Sequence, residues 1–170
     1  VYFYSGASNA REAYDEASYC ISLIRDYQIT YPVAFDWELD GDYDSVTEAC
    51  ETFCNVISSY GYQPMVYSNR NRWYNNFDGE KIASKYKVWM AAYFGKFYYD
   101  SVRWTYGDDL PNFRYHYDMW QYSSRCYVDG ISGQVDVDIA FFGYANYHVD
   151  TKDAVLTVTN KEIKRTYGEG

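Results

Sequence analysis

Three carboxylates stand two residues apart in the run Pro32-Val33-Ala34-Phe35-Asp36-Trp37-Glu38-Leu39-Asp40. Side chains alternate faces along an extended strand, so Asp36, Glu38 and Asp40 are expected on one face, with Val33, Phe35, Trp37 and Leu39 behind them. Crowded like charges raise the pKa of one carboxyl until it holds a proton near neutrality. A protonated acid beside a carboxylate is the equipment of glycoside hydrolysis. The same alternation recurs in Gln134-Val135-Asp136-Val137-Asp138-Ile139-Ala140, where Asp136 and Asp138 share a face. Two acidic strand ends meeting at one place cost stability, so function explains them better than packing does.

The elements that must position these residues alternate. Val1-Tyr2-Phe3-Tyr4 reads as a strand, and Asn9-Ala10-Arg11-Glu12 resembles a capping box that opens a helix running to about Tyr27. After the acidic strand, Ser45-Val46-Thr47-Glu48 reads as a second capping box, and Gly61 ends that helix. Pro64 to Ser68 is a third strand. Arg70 and Arg72 read as a solvated helix start, and a further helical stretch is expected around Glu80 to Lys85. Lys87 to Tyr93 is a nearly all-apolar fourth strand, as expected where both faces are covered. Asp118 to Tyr122 and Gln134 to Ala140 are the fifth and sixth. Between Phe94 and Tyr117 no helical periodicity is evident. Alternating strands and helices imply an α/β chain with a parallel sheet, most simply a TIM-like barrel whose active site lies at the carboxyl ends of its strands.

Composition narrows the partner. Aromatic residues make up 22% of the 170 residues, with 23 Tyr and 5 Trp, and such side chains suit sugar rings that are apolar on one face and hydroxylated at the edge. A tyrosine-rich core accounts for part of that number equally well. The net charge of −9 argues against nucleic acid or an anionic membrane as the main partner, and no apolar run is long enough to span a bilayer. Cys50 and Cys54 lie one helical turn apart, but no His or Cys pair completes a metal site, so neither metal nor cofactor is expected. Buried free thiols are the favoured reading of Cys20, Cys50, Cys54 and Cys126, with a bridge from Cys20 to the Cys50/Cys54 helix left open. His116 and His148 have no evident partner for catalysis.

Together these residues resemble the glycoside hydrolase family 25 lysozymes, the Chalaropsis-type muramidases, over Val1 to about Tyr147. The resemblance rests on Tyr2-Phe3-Tyr4, Asp36-Trp37-Glu38, Gly61-Tyr62 before Val66-Tyr67-Ser68-Asn69, Trp89-Met90-Ala91-Ala92-Tyr93, Trp120-Gln121-Tyr122-Ser123-Ser124 and Val128 to Asp136 in that order. It implies an irregular (β/α)5(β)3 barrel. It also implies hydrolysis of the β-1,4 bond between N-acetylmuramic acid and N-acetylglucosamine in peptidoglycan glycan strands. Glu38 falls on the family's general acid, Asp36 on its carboxylate partner and Asp136 on a third acidic position. Tyr2, Tyr67, Trp89, Tyr93 and Trp120 fall on strand positions that line the sugar groove. A monomer, secreted or held at the cell surface and of bacterial or phage origin, is the corresponding expectation.

The departures are specific. The family opens with a strand carrying an Asp and an adjoining Ser, then a second strand and two helices, and no such segment precedes Val1. Both chain ends therefore read as cut, the barrel as lacking its first two β/α units, and the chain as written as lacking competence. The family's usual Asn two residues after the last Asp is Asp138 here. Residues 1–149 are taken as the catalytic domain and 150–170 as a linker leading into a β-sandwich repeat, on the alternation of Ala154 to Asn160. Two other functions fit part of the pattern. A chitinase-like glycosidase requires Asp-x-x-Asp-x-Asp-x-Glu, but Tyr31 and Ala34 occupy its first two acidic positions. A non-catalytic wall-binding module would keep the groove but has no need of all three carboxylates.

Overall fold

The computed structural model describes residues 1–99, 103–105 and 107–142. The chain order is β1 (Tyr2–Tyr4), α1 (Ala10–Ile24), β2 (Val33–Asp36), α2 (Tyr43–Ser59), β3 (Pro64–Asn69), α3 (Arg70–Asn75), α4 (Gly79–Ala83), β4 (Lys87–Ala91), α5 (Gly95–Tyr99), β5 (Met119–Cys126) and β6 (Val135–Ala140). The strands form one sheet in that sequential order, β1 to β5 parallel and β6 antiparallel to β5. The fold is mixed α/β, as the alternation of elements implied.

Register divides the sheet into two faces. Phe3, Phe35, Val66 and Val88 are successive partners across β1 to β4, and Met90, Trp120 and Ile139 across β4 to β6. These side chains face the helices, where Phe53 of α2 packs 5.8 Å from Phe3 and 5.1 Å from Phe35 by ring centroids. Ala13, Ala17, Cys20, Ile21 and Ile24 give α1 its buried stripe, and Ala49, Cys50, Phe53, Cys54 and Ile57 give α2 its own. All four residues of β2 are buried, so the strand is covered on both faces.

The opposite face is concave. In a flat sheet with about 4.8 Å between neighbours, β1 and β4 stand about 14 Å apart. Yet the ring of Tyr2 on β1 meets that of Trp89 on β4 edge-on at 6.5 Å. The sheet therefore curls, and its curl brings the first and last strands toward one another.

Local chemistry sets the helix starts. Asn9 caps α1 by accepting from the Glu12 amide at 3.0 Å, while Glu12 reaches back to the Ser8 amide at 2.8 Å, one residue beyond an ideal capping box. α2 starts three residues before the expected Ser45: Asp42 is its cap and accepts both the Ser45 amide and hydroxyl, at 3.1 and 2.9 Å. Gly61, at φ +84°, follows the α2 C-cap in the left-handed conformation that glycine adopts without strain. At Gly79 a Cβ would lie 2.5 Å from the Trp73 carbonyl oxygen and from the Tyr115 ring, so glycine alone fits.

Three expectations are corrected, and the favoured reading of the cysteines holds. β6 runs antiparallel to β5, with register shifts after Gln121 and Ser123. β2 ends at Asp36, so alternation does not extend to the end of the acidic run, and Leu39 is exposed rather than backed into the core. A short helix, α5, lies in the segment without helical periodicity, held by the buried Phe97 whose ring is 6.1 Å from Trp120. The four cysteines are buried and free, with no bridge from Cys20. His148 and the 150–170 tail lie outside the described residues.

Candidate active site

The parallel register assembles the site. Tyr4 pairs with Asp36, Asp36 with Tyr67, and Tyr67 with Trp89, while the next row joins Asn69, Ala91, Gln121 and Asp138. In-register neighbours project to the same side, so these rows pave the concave face. They form a cleft of 520 Å³ lined by Tyr2, Tyr4, Asp36, Glu38, Tyr67, Trp89, Gln121, Asp136 and Asp138. A second cleft of 320 Å³ shares Glu38 and Tyr67 with the first and adds Asn69, Arg70, Asn71, Ala91, Ala92 and Tyr93. Glu38 thus stands at the junction of the two.

Asp36 closes β2 at the floor of the first cleft. It is 6% exposed, and its Oδ1 is buried without a hydrogen-bond partner. Burial, reinforced by the charge of Glu38, pushes its pKa from 3.8 up to about 7. Glu38 is half-buried, two residues beyond the strand end. Trp37 between them turns the other way, 1% exposed, its indole N–H donating to the Ala7 carbonyl at 3.2 Å. Asp40 is exposed and outside the cleft lining.

The aromatic wall is pinned. Tyr67 donates its hydroxyl to Gln121 Oε1 at 2.8 Å, and the Tyr93 hydroxyl donates to the same oxygen. Burial, with the Asp136 charge added, raises the Tyr93 pKa to about 12, so it remains a donor across the working pH range. Tyr67 is raised further, mainly by burial. Trp89 packs edge-on against Tyr67 at 4.6 Å and donates its indole N–H to Asp138 Oδ1 at 2.7 Å. Asp138 is pushed up to about 6 by burial and the Asp136 charge, against the opposing pull of the Trp89 hydrogen bond. Its side chain is exposed, but the surface it leaves open faces the cleft.

Seven of the eight expected site residues therefore line these two adjoining clefts: Asp36, Glu38, Asp136, Tyr2, Tyr67 and Trp89 in the first, and Tyr93 in the second. Trp120 does not. It is 0% exposed on the helix-facing side of β5, stacked 5.5 Å from Phe94, with its indole N–H donating to the Ala92 carbonyl at 2.9 Å. Its neighbour Gln121 is the cleft residue, which the sequence reading passed over. A glutamine within an otherwise buried strand was the available signal, since a buried amide requires partners. His116 lies at the surface, 3.6 Å from Asp118 and away from the cleft. Among the described residues no group of three or more His, Cys, Asp or Glu is placed to hold a metal ion, and no helix is long and apolar enough to cross a membrane.

An acid-bearing cleft of this shape, walled by tyrosine and tryptophan at strand carboxyl ends, agrees with the family comparison. The profile of the Glycosyl hydrolases family 25 matches residues 1–131. The chain belongs to that family. It is 31% identical to the lysozyme of Streptococcus phage Cp-1 over 123 residues, covering 67% of this chain and 32% of that protein. The modular autolysin LytC of Streptococcus pneumoniae superposes with a TM-score of 0.62 at 28% identity, covering 81% of this chain and 32% of that one. The modular Cpl-1 endolysin, solved with a tetrasaccharide-pentapeptide analogue of peptidoglycan, gives a TM-score of 0.55 at 26% identity, covering 72% and 36%. The chain spans between 27% and 45% of the length of the curated relatives it matches.

Proposed function

We propose that this family 25 domain hydrolyses the β-1,4 bond between N-acetylmuramic acid and N-acetylglucosamine in peptidoglycan, with Glu38 as general acid. The observation that carries the reading is the Asp36–Glu38 pair. One carboxyl holds a proton near neutrality, and its partner sits where two clefts meet. A glycan lying across both clefts places one glycosidic oxygen at Glu38. The phage and pneumococcal relatives named as lysozyme and autolysin, and the Cpl-1 complex with a peptidoglycan analogue, support the substrate class.

The chemistry follows from the environments. The unpartnered Asp36 Oδ1 lacks a donor, and the acetamido N–H of a bound sugar supplies one. That hydrogen bond favours the carboxylate of Asp36, and the acid that supplies the leaving group's proton is Glu38. Glu38 delivers it to the glycosidic oxygen as the bond to the anomeric carbon breaks, while the acetamido oxygen attacks that carbon. Glu38, now a carboxylate, accepts a proton from the water that opens the ring so formed. Asp136 and Asp138 add negative potential beneath the developing positive charge. Tyr2, Tyr67 and Trp89 hold the sugar faces.

The family reading extends to architecture and place. Residues 1–149 are taken as a (β/α)5(β)3-type catalytic domain, 150–170 as a linker and the start of a β-sandwich repeat, and the site of action as the cell wall. Glu38→Gln, made in a protein that also carries the family's opening strands, tests the central assignment: release of N-acetylmuramic reducing ends from purified walls is expected to fall by about 10² or more, while wall binding persists. Release at the original rate in that variant would refute Glu38 as the acid.

A further inference from the structure

Beyond the second cleft lies a third, of 490 Å³, lined by Arg70, Tyr74, Asn112 and Arg114. Arg70 lines both, so the third pocket adjoins the second cleft at this side chain, and Glu38 and Tyr93 line that second cleft. The third pocket's chemistry differs from that of the acidic cleft. The chain carries a net charge of −9, yet neither Arg70 nor Arg114 has a carboxylate within ion-pair distance among the described residues. Arg70 makes one long hydrogen bond, 3.5 Å to the Asn112 carbonyl. Arg114 lies over the Tyr74 ring at 4.8 Å, and the Tyr74 hydroxyl accepts from its backbone amide at 3.0 Å, so ring and guanidinium are held in register. Tyr74 is in turn stacked on Phe113 at 5.5 Å. The second cleft, which shares Arg70 with this pocket, is also lined by the amides Asn69 and Asn71.

We propose that the Arg70–Arg114 pocket binds a carboxylate of the peptide carried by the glycan strand. This deepens the peptidoglycan reading and rests on it. Sugar rings require flat aromatic faces, which the first cleft supplies, whereas here Tyr74 is covered by Arg114 and Phe113. Two guanidinium forks and a row of amides match a carboxylate-bearing peptide. The pocket adjoins, through Arg70, the cleft that Glu38 lines, so a peptide branching from a sugar held beside Glu38 has this pocket as its neighbour.

Calorimetric titration of the chain with three soluble probes tests this: a bare tetrasaccharide, the same glycan bearing its pentapeptide, and that compound with its carboxylates converted to amides. The peptide-bearing probe is expected to bind at least tenfold tighter than the bare one. Amidation or Arg114→Gln is expected to abolish that advantage while binding of the bare glycan stays the same, and Arg114→Lys to restore part of it. Equal binding of bare and peptide-bearing glycan would overturn the inference and leave the glycan reading standing. Binding of the peptide-bearing probe alone would uphold the inference and overturn the glycan reading, and binding of neither would overturn both. An Arg114→Gln variant that weakens all probes alike assigns Arg114 a structural role and also overturns the inference. Competition by inorganic phosphate with no effect of amidation would make this a phosphate pocket instead.

Discussion

At the scale of single residues, Asp36 trades stability for reactivity. Its pKa is raised in the folded protein, so the fold binds that proton more tightly than the unfolded chain does. Stability is therefore greatest below the ordinary carboxyl pKa and is lost as the pH rises toward the folded value. Moving a carboxyl from 3.8 to about 7 corresponds to roughly 4 kcal/mol withdrawn across that interval. Asp36→Asn keeps the shape and removes the charge. The variant is expected to gain on the parent in urea unfolding between pH 4 and pH 8, by at most that amount, while losing activity. A difference between the two proteins that stays constant from pH 4 to pH 8 would show that Asp36 is ionised throughout. The pair Asp36–Glu38 was legible because alternation held for two residues past a strongly apolar strand. Asp40 and Trp120 were misjudged for opposite reasons. The strand stops at Asp36, so alternation cannot be carried as far as residue 40. Trp120 is placed in the groove by the family resemblance alone, whereas its face is decided by register with Met90 and Ile139, which no local sequence window contains.

At the scale of elements, the cap of α2 separates two readings of one sequence. Ser45-Val46-Thr47-Glu48 has the letters of a capping box, but Asp42 accepts the orphan amide. Asp42→Ala is expected to cost about 1 kcal/mol in urea unfolding, and Ser45→Ala clearly less, because Ser45 contributes only a hydroxyl to the cap. The reverse order would place the helix start at Ser45. Strand direction was misjudged at β6 for a comparable reason. Alternating apolar residues carry no direction, and the informative fact was the connection: residues 127–134 are too few for the crossover of about a dozen or more that a parallel partner demands. Short helices such as α5 leave little periodic signal, since a single buried ring, Phe97, secures it.

At the scale of the whole molecule, the helices pack one face of the sheet and the cleft occupies the other, so core and site draw on opposite faces of shared strands. All four thiols belong to buried positions, and burial raises the pKa of Cys20 and Cys50. A disulfide reagent is expected to find no rapidly reacting thiol in the native protein and four after unfolding in guanidinium. Rapid native labelling would mean that α1 and α2 do not bury Cys20, Cys50 and Cys54, or that Cys126 at the end of β5 is open to solvent. The curl of the sheet has an optical consequence as well. Trp37, Trp73 and Trp120 are at most 1% exposed, whereas Trp89 sits in the cleft wall, its indole bonded to a carboxylate and its ring flanked by Tyr2 and Tyr67. Three of the protein's five indoles are thus buried away from solvent. Trp89 is a lamp mounted inside the cleft, whose colour and brightness report who is in the room.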